Sequence, residues 1–395
     1  MATWEDELAF RHAPVILQKV HQASPRSDFI TKVDFAYDWP DVWRNWEAVF
    51  ARDDTGKPFP MPAHVYYSLV ETPSHYFILY GLYHPQDWQA LWGAPQGREP
   101  DRIDEHRHDM EGCLAVVPKN PEDTDSESCA ALVTVAHYNL EKYAGWQLQD
   151  GQRVGTPCWL KPQWRDRPVL ETVRFAQEPG EPRRRFKIYV DACGHAIRGS
   201  VRGWGNEEQV VRYRPSPDTA QEPQREGFER EPGEVARVQT VKYRLVNIFD
   251  QNGLWKQRDN PRVFQLVAGN QRAAFAVLKP PDKFAPGSAN PPWAWKDDGV
   301  GLPAGLMALD PARLTAFYFY CKEPVLDRTY LHNPYVGVVK SVGGQATPAS
   351  PGTPVVVTAA GGVVGVVRRK PAQRVASARM PLAKRSGRAR LKKPR

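Results

Sequence analysis

Proline punctuates this chain too often for long helices: 37 of them are spread through 395 residues. Each removes a backbone donor and clashes inside a helix, so the chain must fold through turns and short extended segments. The apolar residues follow the same rule. His64 to Glu71 (HVYYSLVE) and His75 to Tyr83 (HYFILYGLY) are β-branched and aromatic, are separated only by Thr72-Pro73-Ser74, and read as an antiparallel hairpin. Glu111 to Val117 and Cys129 to Ala136 form a second pair. Arg185 to Ala192, Arg237 to Val246 and Leu314 to Cys321 (LTAFYFYC) read as further strands, while Trp4 to His21 is weakly helical and broken by Pro14. Short strands with Pro, Gly and Asp between them predict an all-β fold, a sandwich or jelly-roll-like core with few short helices.

Thirteen Trp, fifteen Tyr and fifteen Phe supply the material for a sizeable core. The net charge of +8 is concentrated at one end. Twelve Lys/Arg and no acid lie between Arg368 and Arg395, and without them residues 1–367 carry −4. After Lys340 the composition turns to Gly, Ala, Ser, Thr, Pro and Val. The chain therefore divides into a sandwich domain at 1–340 and a flexible basic tail at 341–395. No apolar run is long enough for a membrane span, and the first residues have neither the basic nor the apolar region of a signal peptide. The expectation is a cytoplasmic protein, or one exported by a non-standard route. The five cysteines (Cys113, Cys129, Cys158, Cys193, Cys321) are scattered without a CxxC and read as buried or free thiols.

Chemistry concentrates in Glu105-His106-Arg107-His108-Asp109-Met110-Glu111, directly before an apolar strand. With a strand beginning near Asp109, alternation puts Asp109 and Glu111 on one face and Met110 on the other. His106 folds back from one turn upstream, and Asp87, at the end of the preceding strand, closes the set. Three carboxylates and one imidazole suit Mg²⁺, Ca²⁺ or Mn²⁺ better than Zn²⁺. The alternative is a solvated charged loop. His137 and His195 each end an apolar strand and are candidates for a general base or for lining the same cavity. Farther on, Trp293, Trp295, Asp297 and Asp298 form either a sugar-stacking wall or a set of pegs anchoring a loop.

EHRHDMEG resembles the GHRHDWE heptapeptide of the necrosis- and ethylene-inducing protein (NPP1-like) family. The upstream LYGLYHPQD is similar to that family's strand ending in Pro-Lys-Asp, and VTVAHY and KIYVDACGHAIRG resemble later segments. The resemblance covers roughly residues 60–200. It departs at Glu105 and Met110, which replace Gly and Trp, and in a longer loop between Asp87 and His106. It implies a β-sandwich that holds a divalent cation on Asp87, His106, Asp109 and Glu111 in an acidic cavity and engages sugar headgroups of plant sphingolipids.

Three functions fit these features. The first is a divalent-metal-dependent binding protein of NPP1-like type for a small glycan or polar lipid headgroup. The second is a metal-dependent hydrolase with His137 or His195 as base. The third is an adaptor whose tail makes weak, salt-sensitive contact with an anionic surface or nucleic acid. No GxSxG, HExxH or Walker-type loop is present, which favours binding over catalysis. Removal of residues 341–395 should leave the melting temperature almost unchanged, because a segment so poor in large apolar residues adds little core. A drop of many degrees in a thermal melt would show that the tail docks on the body.

Overall fold

The computed structural model describes residues 2–22, 24–33, 60–87, 106–119, 129–137, 139–146, 148–149, 152–153, 158–164, 173–177, 184–199, 208–230, 236–251, 253–258, 290–297, 300–322 and 324–339. Eleven strands form one sheet. In chain order they are β1 (Val15–Val20), β2 (His64–Glu71), β3 (His75–Asp87), β4 (His106–Pro118), β5 (Cys129–Ala136) and β6 (Asn139–Trp146). Then follow β7 (Arg174–Gln177), β8 (Arg184–Val190), β9 (Ile197–Arg198), β10 (Gln209–Pro215) and β11 (Arg237–Asn247). The spatial order is β7-β8-β1-β10-β11-β2-β3-β4-β5-β6, with β9 paired to β8.

The run from β2 to β6 is an antiparallel meander, as the Pro- and Gly-bounded segments predict. The other half is mixed: β1 runs parallel to β8, β10 parallel to β11, and β11 parallel to β2. The two halves share one interior. Ile16, Ile188, Val211 and Val241 from one half pack in the same buried cluster as Val65, Tyr80, Ala115 and Leu132 from the other. The face-to-face packing of a sandwich is thus reached by a single sheet folded over, and β9 lies against β4 and β5.

Alternation sorts β4 between two cores. Cys113, Ala115 and Val117 enter the inter-sheet cluster, whereas Leu114 and Val116 face a second cluster on the outer surface. That second core is roofed by the C-terminal segment, including Trp295, Met307, Leu314 and Tyr318. Its anchor is a cross-strand pair of glycines. Gly81 and Gly112 are in register, and a β-carbon on Gly112 would stand 2.3 Å from Trp295 Cη2 and 2.4 Å from the Tyr80 carbonyl oxygen. The Trp295 indole fills that slot and donates from Nε1 to the carbonyls of Met110 and Asn290, each at 3.0 Å. Asp297 accepts from Lys142 Nζ and Tyr318 OH, each at 2.7 Å. Trp295 is a peg, and no sugar stacks on a ring 2% exposed.

Three sequence expectations are corrected. Leu314 to Cys321 is not a strand: Pro311–Tyr318 is an α-helix, and only Phe319–Cys321 is extended. Its aromatic run has strand composition, but Asp310 caps the first turn and Pro311 occupies the first helical position. Trp4 to His21 is not one weak helix. The helix is Trp4–Arg11, closed at its start by a Thr3/Asp6 capping box, and Val15–Val20 beyond Pro14 is a central strand. Nor are all five cysteines thiols. Cys158 and Cys321 face each other where Cys158–Leu160 pairs with Phe319–Cys321, and they form a disulfide across 163 residues. No spacing rule reveals a pair that only this long-range register brings together. Cys113, Cys129 and Cys193 are free and buried.

Gly112→Ala should unseat Trp295 and lower stability by about 1–3 kcal/mol through overpacking. Urea unfolding, with Trp fluorescence reporting exposure of the indole, measures this; an unchanged midpoint would mean that the roof is not held by the slot.

Candidate functional site

The acidic residues lie at the end of the inter-sheet interior, where the apolar pattern of β3 and β4 gives way to polar residues. On β4 the inward parity of Cys113 and Ala115 continues through Glu111 and Asp109, which are 3% and 8% exposed, and Met110 faces the second core. The predicted face-sharing of the two acids is observed. On β3 the same face carries Leu82, His84 and Gln86, and His84 stands opposite Asp109 in the ladder. Asp87 is buried and in register with His106. It has the parity of Tyr83, not of His84, yet its charge is among the influences felt at Glu111. The His106 side chain lies outside the described residues, as does the stretch between Asp87 and His106.

Around this pair stand both predicted histidines. His195 is completely buried, with Nδ1 2.8 Å from Asp109 Oδ2 and Nε2 3.1 Å from Asp28 Oδ1. Burial alone would lower its pKa, but the hydrogen bonds and charges of Asp109 and Asp28 raise it to about 10. An imidazolium therefore bridges two carboxylates. His84 stacks on it with ring centroids 3.7 Å apart and planes 5° from parallel. Burial, followed by the positive neighbour, pushes His84 well below its ordinary pKa, so a neutral ring lies on a charged one. Gln18 Nε2 lies 3.0 Å from His84 Nε2.

His137 approaches from the two-residue connection between β5 and β6. Its N–H donates to Glu111 Oε1 at 2.6 Å and its Nδ1 lies 3.4 Å from the same oxygen. The φ of +56° is the left-handed conformation that such a tight hairpin demands. Cys193 and His195 also have positive φ, +70° and +50°. Asp28 holds that bend, accepting from the Cys193 and His21 N–H groups, each at 2.7 Å. Non-glycine residues in this region cost about 1–3 kcal/mol each and persist where surrounding contacts over-determine them.

Glu111 is the group least at ease. Burial, then the charge of Asp109, raise its pKa well above the usual carboxylate range, and its Oε2 has no hydrogen-bond partner among the described residues. A cation beside Asp109 and Glu111 would relieve both deficits, so this pair fits a divalent ion. Among the described residues, the ligand atoms that lie within 4.8 Å of one another here are those of His84, Asp109 and His195, a group that shares only Asp109 with the predicted set. Sequence reading missed Asp28, His84 and Gln18. His84 had a legible signal, two residues beyond Leu82 on a strand whose inner face is apolar. Asp28 had none, since Pro25–Asp28 is a single 3-10 turn far away in the chain.

Among solved structures, the chain is similar to NLPPya in complex with glucosamine, at 15% identity and a TM-score of 0.24 over 51% of this chain and 74% of that one. It is similar to a structure described as a toxin fold for microbial attack and plant defense, at 14%, 0.23, 51% and 76%. It is also similar to necrosis and ethylene inducing protein 2 from the causal agent of cocoa's witches' broom disease, at 16%, 0.19, 45% and 67%. The last of these bears the name of the family whose heptapeptide residues 105–111 resemble. No family model matches the chain, nor does any curated protein.

A proton held more tightly in the folded state than in the unfolded one stabilises the fold below the unfolded pKa, and the gain is lost as pH rises through the folded value. For His195 that window runs from the ordinary 6.5 to about 10. Glu111, also raised, acts in the same direction above its ordinary 4.5. Stability should fall across pH 6.5–10 by up to about 1.4 kcal/mol per pH unit for His195. His195→Gln should be less stable at pH 6.5 and show a flatter profile in chemical denaturation; an equally steep profile would place the titration elsewhere.

Proposed function

We propose that this chain is a divalent-metal-dependent binding protein whose bound cation recognises a glycan or polar lipid headgroup. The observation that carries the reading is the buried Asp109–Glu111 pair, with one carboxylate oxygen left unbonded and a pKa driven up by its neighbour. Asp109 and Glu111 would hold the ion, with Asp87 and His106 joining from the adjacent ends of β3 and β4. Oxygen-dominated donors favour Mg²⁺, Ca²⁺ or Mn²⁺ over Zn²⁺. The ion would supply positive charge and coordination positions that vicinal hydroxyls can fill. The headgroup half of the reading rests on the motif resemblance.

A hydrolase has less support. His195 is held protonated between two carboxylates and is a poor base. His137, with its side chain 42% exposed and 3.4 Å from Glu111, is the imidazole left for that role. The basic tail at 368–395 lies outside the described residues, and weak anionic contact through it stays a separate proposal.

Isothermal titration of metal-stripped protein with Mg²⁺, Ca²⁺, Mn²⁺ and Zn²⁺ should give one saturable site, tightest for a hard cation. Asp109→Asn combined with Glu111→Gln should abolish it while leaving the β-type circular dichroism intact. No saturable binding by any of the four ions would sink the proposal. Cation-dependent retention on vesicles bearing a glycosylated sphingolipid, lost with chelator, tests the headgroup half.

A further inference from the structure

At the far end of β3 from the acidic cluster, a histidine faces the disulfide. His75 opens β3 directly after the Thr72-Pro73-Ser74 turn, and its ring is completely buried. Nδ1 lies 2.8 Å from Ser74 Oγ, which also accepts from the Asp327 N–H at 2.8 Å. Nε2, the other ring nitrogen, has no hydrogen-bond partner among the described residues. A ring nitrogen of His75 lies within 4.8 Å of both Cys158 Sγ and Cys321 Sγ. A buried ring nitrogen is costly to leave unmatched, and here two sulfurs lie beside the ring.

We propose that Cys158, Cys321 and His75 form a redox-gated site for zinc or a similar thiophilic divalent cation, filled when the disulfide is reduced. The set is the Cys₂His donor combination that holds zinc with one position left for water. Two Zn–S bonds of about 2.3 Å at a tetrahedral angle place the sulfurs about 3.8 Å apart, a spacing that opening the S–S bond permits. With Nδ1–H donating to Ser74 Oγ, Nε2 keeps the free lone pair that a ligand needs, the outer-partner arrangement that orients metal-binding imidazoles. Burial, then the Lys119 charge, lower the His75 pKa to about 4, so the ring is neutral near pH 7, as a ligand must be.

The chemistry balances with a dithiol as reductant. It gives two electrons and two protons to the S–S bond, leaves as its own disulfide, and yields two cysteine thiols. Zn²⁺ then displaces both thiol protons and binds the two thiolates and His75 Nε2. The strands Cys158–Leu160 and Phe319–Cys321 stay joined in either state, by a covalent bond under oxidising conditions and by the ion under reducing ones. The roof over the second core would then hold in both kinds of compartment.

The test uses Co²⁺ as a spectroscopic stand-in on the full chain, reduced anaerobically and with Ca²⁺ in excess to occupy oxygen-rich sites. Reduced protein should show one equivalent of thiolate-to-cobalt charge-transfer absorption with the visible bands of a tetrahedral site; oxidised protein should show neither. Cys158→Ser should remove the signal, which excludes Cys113, Cys129 and Cys193 as its source. His75→Gln, which keeps the disulfide, should weaken Co²⁺ and Zn²⁺ binding at least about tenfold, since even outer partners of a metal histidine are worth that much. Absence of the charge-transfer band in reduced wild type, or equal affinity in His75→Gln, overturns the proposal. Should Cys158→Ser fail to fold, the contrast between oxidised and reduced wild type, with His75→Gln, still decides.

Discussion

The ladder between β3 and β4 is the constraint on which the rest of the molecule hangs. It runs from His75 opposite Pro118 to Asp87 opposite His106, through strands of 13 residues each. Its pleat sorts the apolar side chains of its middle between two cores. Its middle carries the Gly81–Gly112 slot that seats Trp295 and so fixes the C-terminal roof. Its ends carry the two clusters with chemical potential, His75 with the disulfide at one and His84, Asp109 and Glu111 at the other. A one-residue slip would exchange the faces, burying Met110 with the acids' neighbours and turning Asp109 and Glu111 into the second core.

Electrostatics at the acidic end have one theme, too much negative charge for so little water. The protein answers it with His195, held between Asp28 and Asp109 and stacked on a neutral His84. That arrangement satisfies Asp109 and Asp28, while Glu111 has, among the described residues, the His137 N–H and ring as its partners. Buried charge without a matching partner is destabilising, and its retention at the mouth of a sheet interior is a common sign of a binding site. The strained backbone at His137, Cys193 and His195 falls in the same place.

The N-terminal segment has a larger share in this site than its short elements suggest. The helix Trp4–Arg11 is capped at its end by Arg185, which donates to the carbonyls of Phe10 at 2.8 Å and Ala13 at 3.2 Å. Pro14 then releases the chain into β1, between β8 and β10, where Gln18 reaches His84. Pro25–Asp28 follows and supplies the carboxylate on which the His195 loop closes.

Local pattern determined a good deal by itself. The two hairpins on either side of Thr72-Pro73-Ser74 and of the 118–128 stretch, the shared face of Asp109 and Glu111, and the opposed placement of Met110 follow from period-two alternation, a property of consecutive residues. What alternation cannot say is which distant strand covers a face. The parallel pairing of β1 with β8, the approach of Asp28 to His195 and the Cys158–Cys321 bond were decided by tertiary structure. Each rests on contacts between segments far apart in the chain, where the free energy comes from shared burial and charge matching, and no local spacing encodes the partner.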